Sequence, residues 1–184
     1  MGQEPTQLQE TPEVEQPELD PAMVEHALGR LREEQSLLGG VLAGLAAAVA
    51  GAVVWAVITV VTGYQIGFMA VGIGFLVGYA VRQAGKGLDK GFGFAGALLA
   101  LLGCLLGNFL TVIHFVAEAE NLGYFDTLTR IDPTTIPELM AITFSPIDLL
   151  FYGIAIYEGY KLSFRQLTRG ELEQAMSGTP STLP

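Results

Sequence analysis

The chain has 184 residues, of which 51% are hydrophobic and only 15% are charged, and its formal net charge is −10. A soluble domain carries about 25% charged residues, and this chain has none at all between positions 37 and 81, which argues against an ordinary soluble domain. The negative charge argues against nucleic acid as a partner, and the single cysteine, Cys104, excludes an internal disulfide and a cysteine-rich zinc site.

The N-terminal region divides into two parts. Residues 1–19 are rich in Glu, Gln, Pro and Thr and have hardly any large apolar side chains, which predicts a disordered acidic tail. Asp20 and Pro21 form a typical helix start, an N-cap acid followed by a proline in the first turn. We therefore predict a short amphipathic helix over residues 20–36, directly before the first apolar segment.

Four apolar segments follow the amphipathic helix. They predict transmembrane helices at residues 37–61, 66–81, 92–117 and 146–160. The predicted fold class is therefore all-α, an integral membrane bundle of four transmembrane helices over residues 37–165. Residues 166–184 read as a second disordered tail.

The connection between the third and fourth predicted spans is longer and more polar than the others. It covers residues 118–143 and contains one short predicted helix, at 137–142, which could rest on the membrane surface or dip into it. The fourth span begins with a clear signal. Ser145 caps it, Pro146 takes the first helical position, and Asp148 completes a capping-box pattern.

The basic residues give the predicted spans an orientation. With four spans, eight of the nine Lys and Arg residues lie on one side, and Arg130 lies on the other. Because loops rich in Lys and Arg stay in the cytoplasm, both termini are predicted to be cytoplasmic. A three-span arrangement would place Lys161, Arg165 and Arg169 outside and lose this bias.

Small residues recur on one face of each of the first three spans. In a bilayer the hydrophobic effect does not drive helices together, so small residues that allow close backbone contact mark the packing faces. They predict a tight bundle, whose partner helices belong to the same chain or, alternatively, to a second copy. The glycines that carry this prediction are Gly40, Gly44 and Gly51 in the first span, Gly67, Gly74 and Gly78 in the second, and Gly96, Gly103 and Gly107 in the third.

A polar stripe occupies the outer half of the third span. It consists of Asn108, Thr111, His114 and Glu118, which fall within about 120° of arc on a helix. Polar groups at membrane depth are a functional hypothesis by default, and these could line a pore or relay protons. The alternative is that His114 and Glu118 lie at the watery interface and that Asn108 is a hydrogen-bonding contact between helices.

The loop between the second and third spans is basic and rich in glycine. Arg82, Lys86 and Lys90 could hold anionic lipid headgroups at the inner surface, or they could simply fix the orientation of the chain.

Residues 91–96 match the pattern GxGxxG, but they follow a charged loop instead of a strand, so the dinucleotide-binding interpretation is rejected. No Ser/His/Asp set or Cys/His cluster is present, so we predict no enzyme activity, no metal and no cofactor.

Three stretches of the chain together resemble an uncharacterised family of small bacterial four-span membrane proteins. They are residues 63–67 with 78–82 (Gly-Tyr-Gln-Ile-Gly and Gly-Tyr-Ala-Val-Arg), 101–108 (Leu-Leu-Gly-Cys-Leu-Leu-Gly-Asn), and 145–148 with 157–161 (Ser-Pro-Ile-Asp and Tyr-Glu-Gly-Tyr-Lys). The resemblance covers about residues 38–165 and implies a bacterial inner membrane. Such relatives often carry a zinc ribbon or another soluble module in front, where this chain has a cysteine-free acidic tail.

The sequence favours a non-enzymatic membrane protein over a catalyst. Its glycine faces and its lack of reactive groups are typical of a structural, scaffold or accessory subunit, one that self-associates or joins a larger membrane complex among the lipids. The second hypothesis is a conduit for a small ion or solute built around the polar stripe. A lipid-modifying enzyme at the membrane surface ranks third.

Overall fold

The computed structural model describes residues 20–64 and 67–177, with the backbone alone at positions 142 and 143. Within these residues the chain forms eight α-helices and no strand, which confirms the all-α fold class. The helices are α1 (Pro21–Glu33), α2 (Leu37–Thr62), α3 (Met69–Gly85), α4 (Lys90–Ala119), α5 (Tyr124–Arg130), α6 (Ile136–Thr143), α7 (Pro146–Leu162) and α8 (Arg169–Ser177).

Two of these helices are long and apolar enough to cross a membrane. α2 has 26 residues and α4 has 30, so they extend about 39 and 45 Å, longer than a hydrocarbon core of about 30 Å. α3 and α7 have 17 residues each and extend about 25 Å. Length and composition therefore single out α2 and α4 as candidate membrane-spanning helices.

Local caps determine where the bundle helices begin and end. The Ser36 hydroxyl accepts a hydrogen bond from the Gly39 amide at 3.1 Å and starts α2. Gly63 ends that helix in the left-handed region, at φ 69°, which glycine adopts without a Cβ penalty. At the start of α7 the Ser145 amide donates to the Asp148 carboxylate at 2.8 Å, so the predicted capping box is confirmed.

α2, α3, α4 and α7 form a four-helix bundle in which successive members run in opposite directions. Contacts between α2 and α4 advance together along both helices, from Ala48 against Gly103 to Trp55 against Gly107, so these two are parallel. α3 and α7 run the other way. Because α3 and α4 each contact all three other members, they form the centre of the bundle, and α2 and α7 lie on opposite flanks.

The four remaining helices lie at the two ends of the bundle. α1 precedes α2 and packs against α8, so we call this the α1–α8 end. α5 and α6 both contact α4 where the connection to α7 is made, and we call this the α5–α6 end. The sequence predicted a single short helix at 137–142 in that connection, and α5 was missed because its seven residues are too few to show a hydrophobic period.

The prediction of a disordered tail over residues 166–184 is wrong for its first half. Arg169–Ser177 forms α8, and a capping pair holds its start, because the Thr168 amide and hydroxyl donate to the Glu171 carboxylate at 2.9 and 3.0 Å. Near its other end the Arg30 guanidinium of α1 donates to the Ala175 carbonyl at 3.3 Å. Residues 178–184 and the predicted acidic tail, 1–19, lie outside the described residues.

The second predicted span begins later than its apolar run. The prediction started it at residue 66, which is not described, and α3 starts at Met69. The Ala70 amide bonds the Gly67 carbonyl at 3.1 Å, and the Val71 amide bonds the Phe68 carbonyl at 3.1 Å. These are three-residue turns, so the chain is still turning where its hydropathy is already high.

The bundle buries small residues together with some large ones, such as Trp55 and Ile113, and it leaves many other large apolar side chains exposed. Its interior includes Ala48, Ala70, Ala100 and Ala155, all nearly inaccessible. Large side chains are instead exposed on every bundle helix, the reverse of what a water-soluble bundle requires. Among them are Leu38 and Val61 on α2, Phe75 and Tyr79 on α3, Leu98 and Phe115 on α4, and Ile147 and Leu150 on α7.

Candidate functional site in the bundle

The predicted polar stripe lies on α4, but its members occupy two environments. Asn108 and Thr111 are each 2% exposed and lie inside the bundle. His114 and Glu118 lie closer to the α5–α6 end, where their side chains are 33% and 72% exposed and 3.8 Å apart. The stripe thus changes from buried to exposed along the helix, and Asn108 and His114 line two different cavities.

Asn108 forms a hydrogen-bonded pair with Tyr152 of α7. The Asn108 side chain bonds the Tyr152 hydroxyl, and this hydroxyl donates to the Cys104 carbonyl at 3.4 Å. The rings of Trp55 and Phe144 pack edge-on against Tyr152, with centroid distances of 6.5 and 5.7 Å. The pair is therefore an interhelical hydrogen bond between α4 and α7, enclosed by aromatic rings.

Thr111 satisfies its hydroxyl within its own helix. It donates to the Gly107 carbonyl, one turn earlier, at 2.9 Å. A buried threonine that bonds back in this way presents its methyl group to its neighbours and needs no partner from another helix. Thr111 is therefore part of the packing in this structure and does not offer a polar surface to the interior.

Two buried polar residues of α2 were missed by the sequence analysis. Trp55 is 1% exposed and Thr59 is fully buried, and neither the indole N–H nor the hydroxyl has a hydrogen-bond partner among the described residues. A signal for them exists in the sequence. The packing face predicted from Gly40, Gly44 and Gly51 continues at helical spacing to Trp55 and Thr59, but their size and polarity set them apart from that small-residue pattern.

Two cavities flank α4 at the α5–α6 end. One has a volume of about 340 Å³ and lies between α4 and α6, with Asn108 in its wall; it is lined by Leu105, Asn108, Pro137, Met140, Ala141 and Phe144. The other, about 360 Å³, is an apolar groove between α2 and α4 with His114 and Tyr124 at its end. Burial raises the pKa of the Tyr124 hydroxyl. The linings of both cavities are confined to this end.

The nine glycines predicted for helix packing all lie against another element of the same chain. An ideal Cβ on Gly74 would lie 2.7 Å from the Cα of Ala155, and one on Gly40 would lie 3.2 Å from the Cα of Gly85. The others contact neighbouring side chains or backbone: Gly44 meets Val81 and Leu99, Gly51 and Gly103 meet Ile73, Gly67 meets Phe151 and Asp148, Gly78 meets Leu162, Gly96 meets Ser163 and Gly159, and Gly107 meets Trp55.

The three basic residues predicted to contact lipid lie at the α1–α8 end. The Arg82 guanidinium lies over the Tyr79 ring, 5.2 Å from its centroid, and the Lys86 ammonium lies 4.0 Å from the Glu34 carboxylate. Lys90 is the first residue of α4 and is exposed. A headgroup at this position would compete with Glu34 for Lys86.

Arg165 links the same end of the bundle to α8. Its guanidinium lies 3.2 Å from the Glu34 carboxylate and 3.5 Å from that of Glu171, and its amide donates to the Gly87 carbonyl at 2.8 Å. Hydrogen bonds from Thr168, with a smaller contribution from Arg165, hold the pKa of Glu171 below its ordinary value. Glu34, which precedes the bundle in the chain, therefore forms one charged cluster with Arg165 and Glu171, which follow it.

The described residues contain no group of three or more His, Cys, Asp or Glu side chains that could hold a metal ion. Cys104 is buried, with its thiol 3.8 Å from the Ala70 carbonyl, so it is a packing residue in this structure.

Comparisons with known protein families, with curated proteins and with solved structures find no match. The resemblance to a bacterial four-span family therefore stays a prediction.

Proposed function

We propose that this chain is a four-span protein of a bacterial inner membrane, with both termini in the cytoplasm, that serves as a structural, scaffold or accessory subunit. The exposed apolar side chains on α2, α3, α4 and α7 support immersion of the whole bundle in lipid, because so large an apolar surface is unfavourable in water. α3 and α7 are short for a span, and a bilayer adapts to such helices by thinning locally.

The observation that carries the structural role is the closeness of the bundle helices along their centre. α3 and α7 approach until Gly74 lies against the backbone of Ala155, and α4 and α7 meet at Gly96 and Gly159. Helices in such contact leave no lumen for an ion or a solute in that part of the bundle. This favours a solid membrane scaffold over a conduit.

The same contacts define which surface a partner would use. Because the glycine faces are occupied within one chain, a second copy or another subunit would meet the outward side chains, such as Leu98 and Leu102 of α4. A partner there replaces lipid with complementary side chains and gains packing contacts in place of a hydrophobic driving force. The proposed self-association or complex formation therefore involves this large apolar exterior.

Labelling of single cysteines tests the four-span arrangement. In a chain with Cys104 replaced by Ala, we would introduce cysteine at Leu88, Thr134 or Gln166 and treat intact spheroplasts with a membrane-impermeant maleimide. The expected result is labelling of the Thr134 variant from outside and of the other two only after lysis, because Leu88 and Gln166 flank the α1–α8 end. Labelling of the Leu88 variant from outside would contradict the orientation.

A pair of experiments separates the scaffold from the conduit. A photo-crosslinking residue at Leu98 is expected to capture a protein partner in native membranes, whereas the same residue at Thr134, which is exposed at the α5–α6 end outside the apolar exterior, should capture none. In parallel, the purified chain in liposomes should conduct no more ions than empty liposomes do. Ion flux that disappears in His114→Ala would defeat the scaffold proposal and support the conduit built around the exposed half of the stripe.

A further inference from the structure

The hydroxyl of Thr59 is bonded differently from the hydroxyls of four other threonines in helices. Thr62, Thr111, Thr127 and Thr129 each donate to the carbonyl four residues earlier, at distances between 2.7 and 3.1 Å. The Thr59 hydroxyl makes no such bond and has no partner among the described residues, although it is fully buried. Its hydrogen-bonding capacity is therefore not used by its own helix.

Trp55 lies one turn before Thr59 on the same face of α2. Its indole N–H is a donor only, and it too is buried without an acceptor in the described region. Residues four apart on a helix lie on the same face with Cβ atoms about 5–6 Å apart, so the two side chains are neighbours. The two unsatisfied groups are complementary, since one only donates and the other can both donate and accept.

Aromatic rings and hydrogen-bonding groups surround these two residues. α2 and α7 make no close backbone contact along their length, and at this level they meet through the rings of Trp55 and Tyr152. The Tyr152 hydroxyl and the Asn108 side chain supply further hydrogen-bonding groups in the same part of the interior. A buried site of this kind suits a ligand with two to four polar partners.

We propose that Trp55 and Thr59 form, between α2 and the α4–α7 pair, a binding site for a single buried water molecule. Water is the ligand class that fits, because both side chains are at most 1% exposed and no larger solute could reach them without opening the bundle. The water accepts a hydrogen bond from the indole N–H and forms another with the Thr59 hydroxyl, so both groups are satisfied. The site would make this part of the bundle a hydrated polar contact, whatever the wider role of the chain.

The single tryptophan of the chain makes the site directly observable. We would label the indole nitrogen with ¹⁵N in the full-length protein in detergent micelles and record dipolar contacts between the indole proton and water. The expected result is a cross-peak between the indole proton and water whose sign shows a dipolar contact and not chemical exchange. Its absence from the folded wild-type protein would overturn the proposal.

Substitution of Thr59 supplies the second measurement, with Thr111 as a matched control. Thr59→Val keeps the shape of the side chain and removes a ligand of the water, so the cross-peak should be lost and the Tm should fall. Thr111→Val removes a hydroxyl that is satisfied within its own helix and should leave the cross-peak unchanged. Retention of the full cross-peak in Thr59→Val, or a rise in its Tm, would contradict the site. If Thr59→Val does not fold, Thr59→Ser, which keeps the hydroxyl, must retain the cross-peak.

Discussion

The two halves of the bundle hold their helices together in different ways. Towards the α1–α8 end backbones meet directly, as where Gly40 meets Gly85 and Gly96 meets Gly159, beside buried side chains such as Phe92. Towards the α5–α6 end the space between helices is filled by large or polar side chains, among them Trp55, Tyr152, Phe144, Asn108 and Thr59.

In the proposed bilayer, where burial of apolar surface contributes little to helix association, the two halves are held by different interactions. Glycine contacts gain dispersion energy by bringing whole helices close together, and the tightest of them, such as Gly74 against Ala155, leave no room for an added methyl group. The other half gains cohesion from ring contacts and hydrogen bonds between helices, which tolerate a change of shape but not the loss of a partner. Substitutions should therefore destabilise the first half when they add atoms and the second half when they remove a side-chain partner.

The largest effect is expected from Trp55→Ala, in the half filled by side chains. Loss of the indole leaves a cavity against Gly107 and Tyr152, and truncation of a buried aromatic residue costs about 3–5 kcal/mol. Unfolding of the purified protein followed by circular dichroism measures it. Val54→Ala, at an exposed neighbouring position, is the control and should change stability little. Equal effects of the two would refute the burial of Trp55.

The next effect is expected from Gly74→Ala, in the centre of the glycine contacts. A methyl group there would lie 2.5 Å from the Ala155 carbonyl oxygen, so α3 and α7 must separate, at a cost of about 1–3 kcal/mol. Gly72→Ala is a matched control on the same helix, because its added methyl group meets nothing within 4 Å. Thermal unfolding in detergent compares the two. A stable Gly74→Ala would show that backbone contact does not hold this pair.

A smaller effect is expected from breaking the Asn108–Tyr152 pair. Asn108→Leu and Tyr152→Phe each remove one partner and should lower the free energy of unfolding by about 1 kcal/mol. The double variant should lose less than the sum of the two, because the same hydrogen bond is counted in each single variant. Strict additivity in this double-mutant cycle would mean that the two side chains do not interact.

The smallest effect lies outside the bundle, in the docking of α8. Hydrogen bonds from Thr168 hold the pKa of Glu171 below its ordinary value of 4.5 in the folded chain. Its contribution to docking is therefore fully present above that value and is lost as the pH falls through the lower folded value. Amide hydrogen exchange in α8, corrected for the intrinsic rate, should be faster at acidic than at neutral pH. Glu171→Gln should exchange fast at both, and protection that is independent of pH in the wild type would contradict this.

Several features of the fold were predictable because they depend on short stretches of chain. The starts of α2 and α7 follow from Ser36 and from the capping box at Ser145, which act within one helical turn. The start of α8 carries a similar signal in Thr168 and Glu171, which the sequence analysis passed over because the surrounding residues are polar. α5 offered no comparable signal.

The polar residues show where prediction from the sequence stopped. The four residues of the predicted stripe all belong to α4, and helical periodicity determines their relative angles on it. Its division between a buried Asn108 and an exposed Glu118 depends on how far α2, α6 and α7 extend beside α4. The same holds for Trp55 and Thr59, which become an internal polar pair only because α4 and α7 cover them.

The sequence by itself determined the helical class, the apolar segments and which face of each helix carries small residues. Each of these depends only on local composition and on the 3.6-residue period of a helix. Only the tertiary structure decided that those faces meet within one chain, that α8 docks on α1, and that two polar groups of α2 are enclosed without a protein partner in the described region. Such contacts arise from the relative rotation and depth of helices far apart in sequence, which no local pattern encodes.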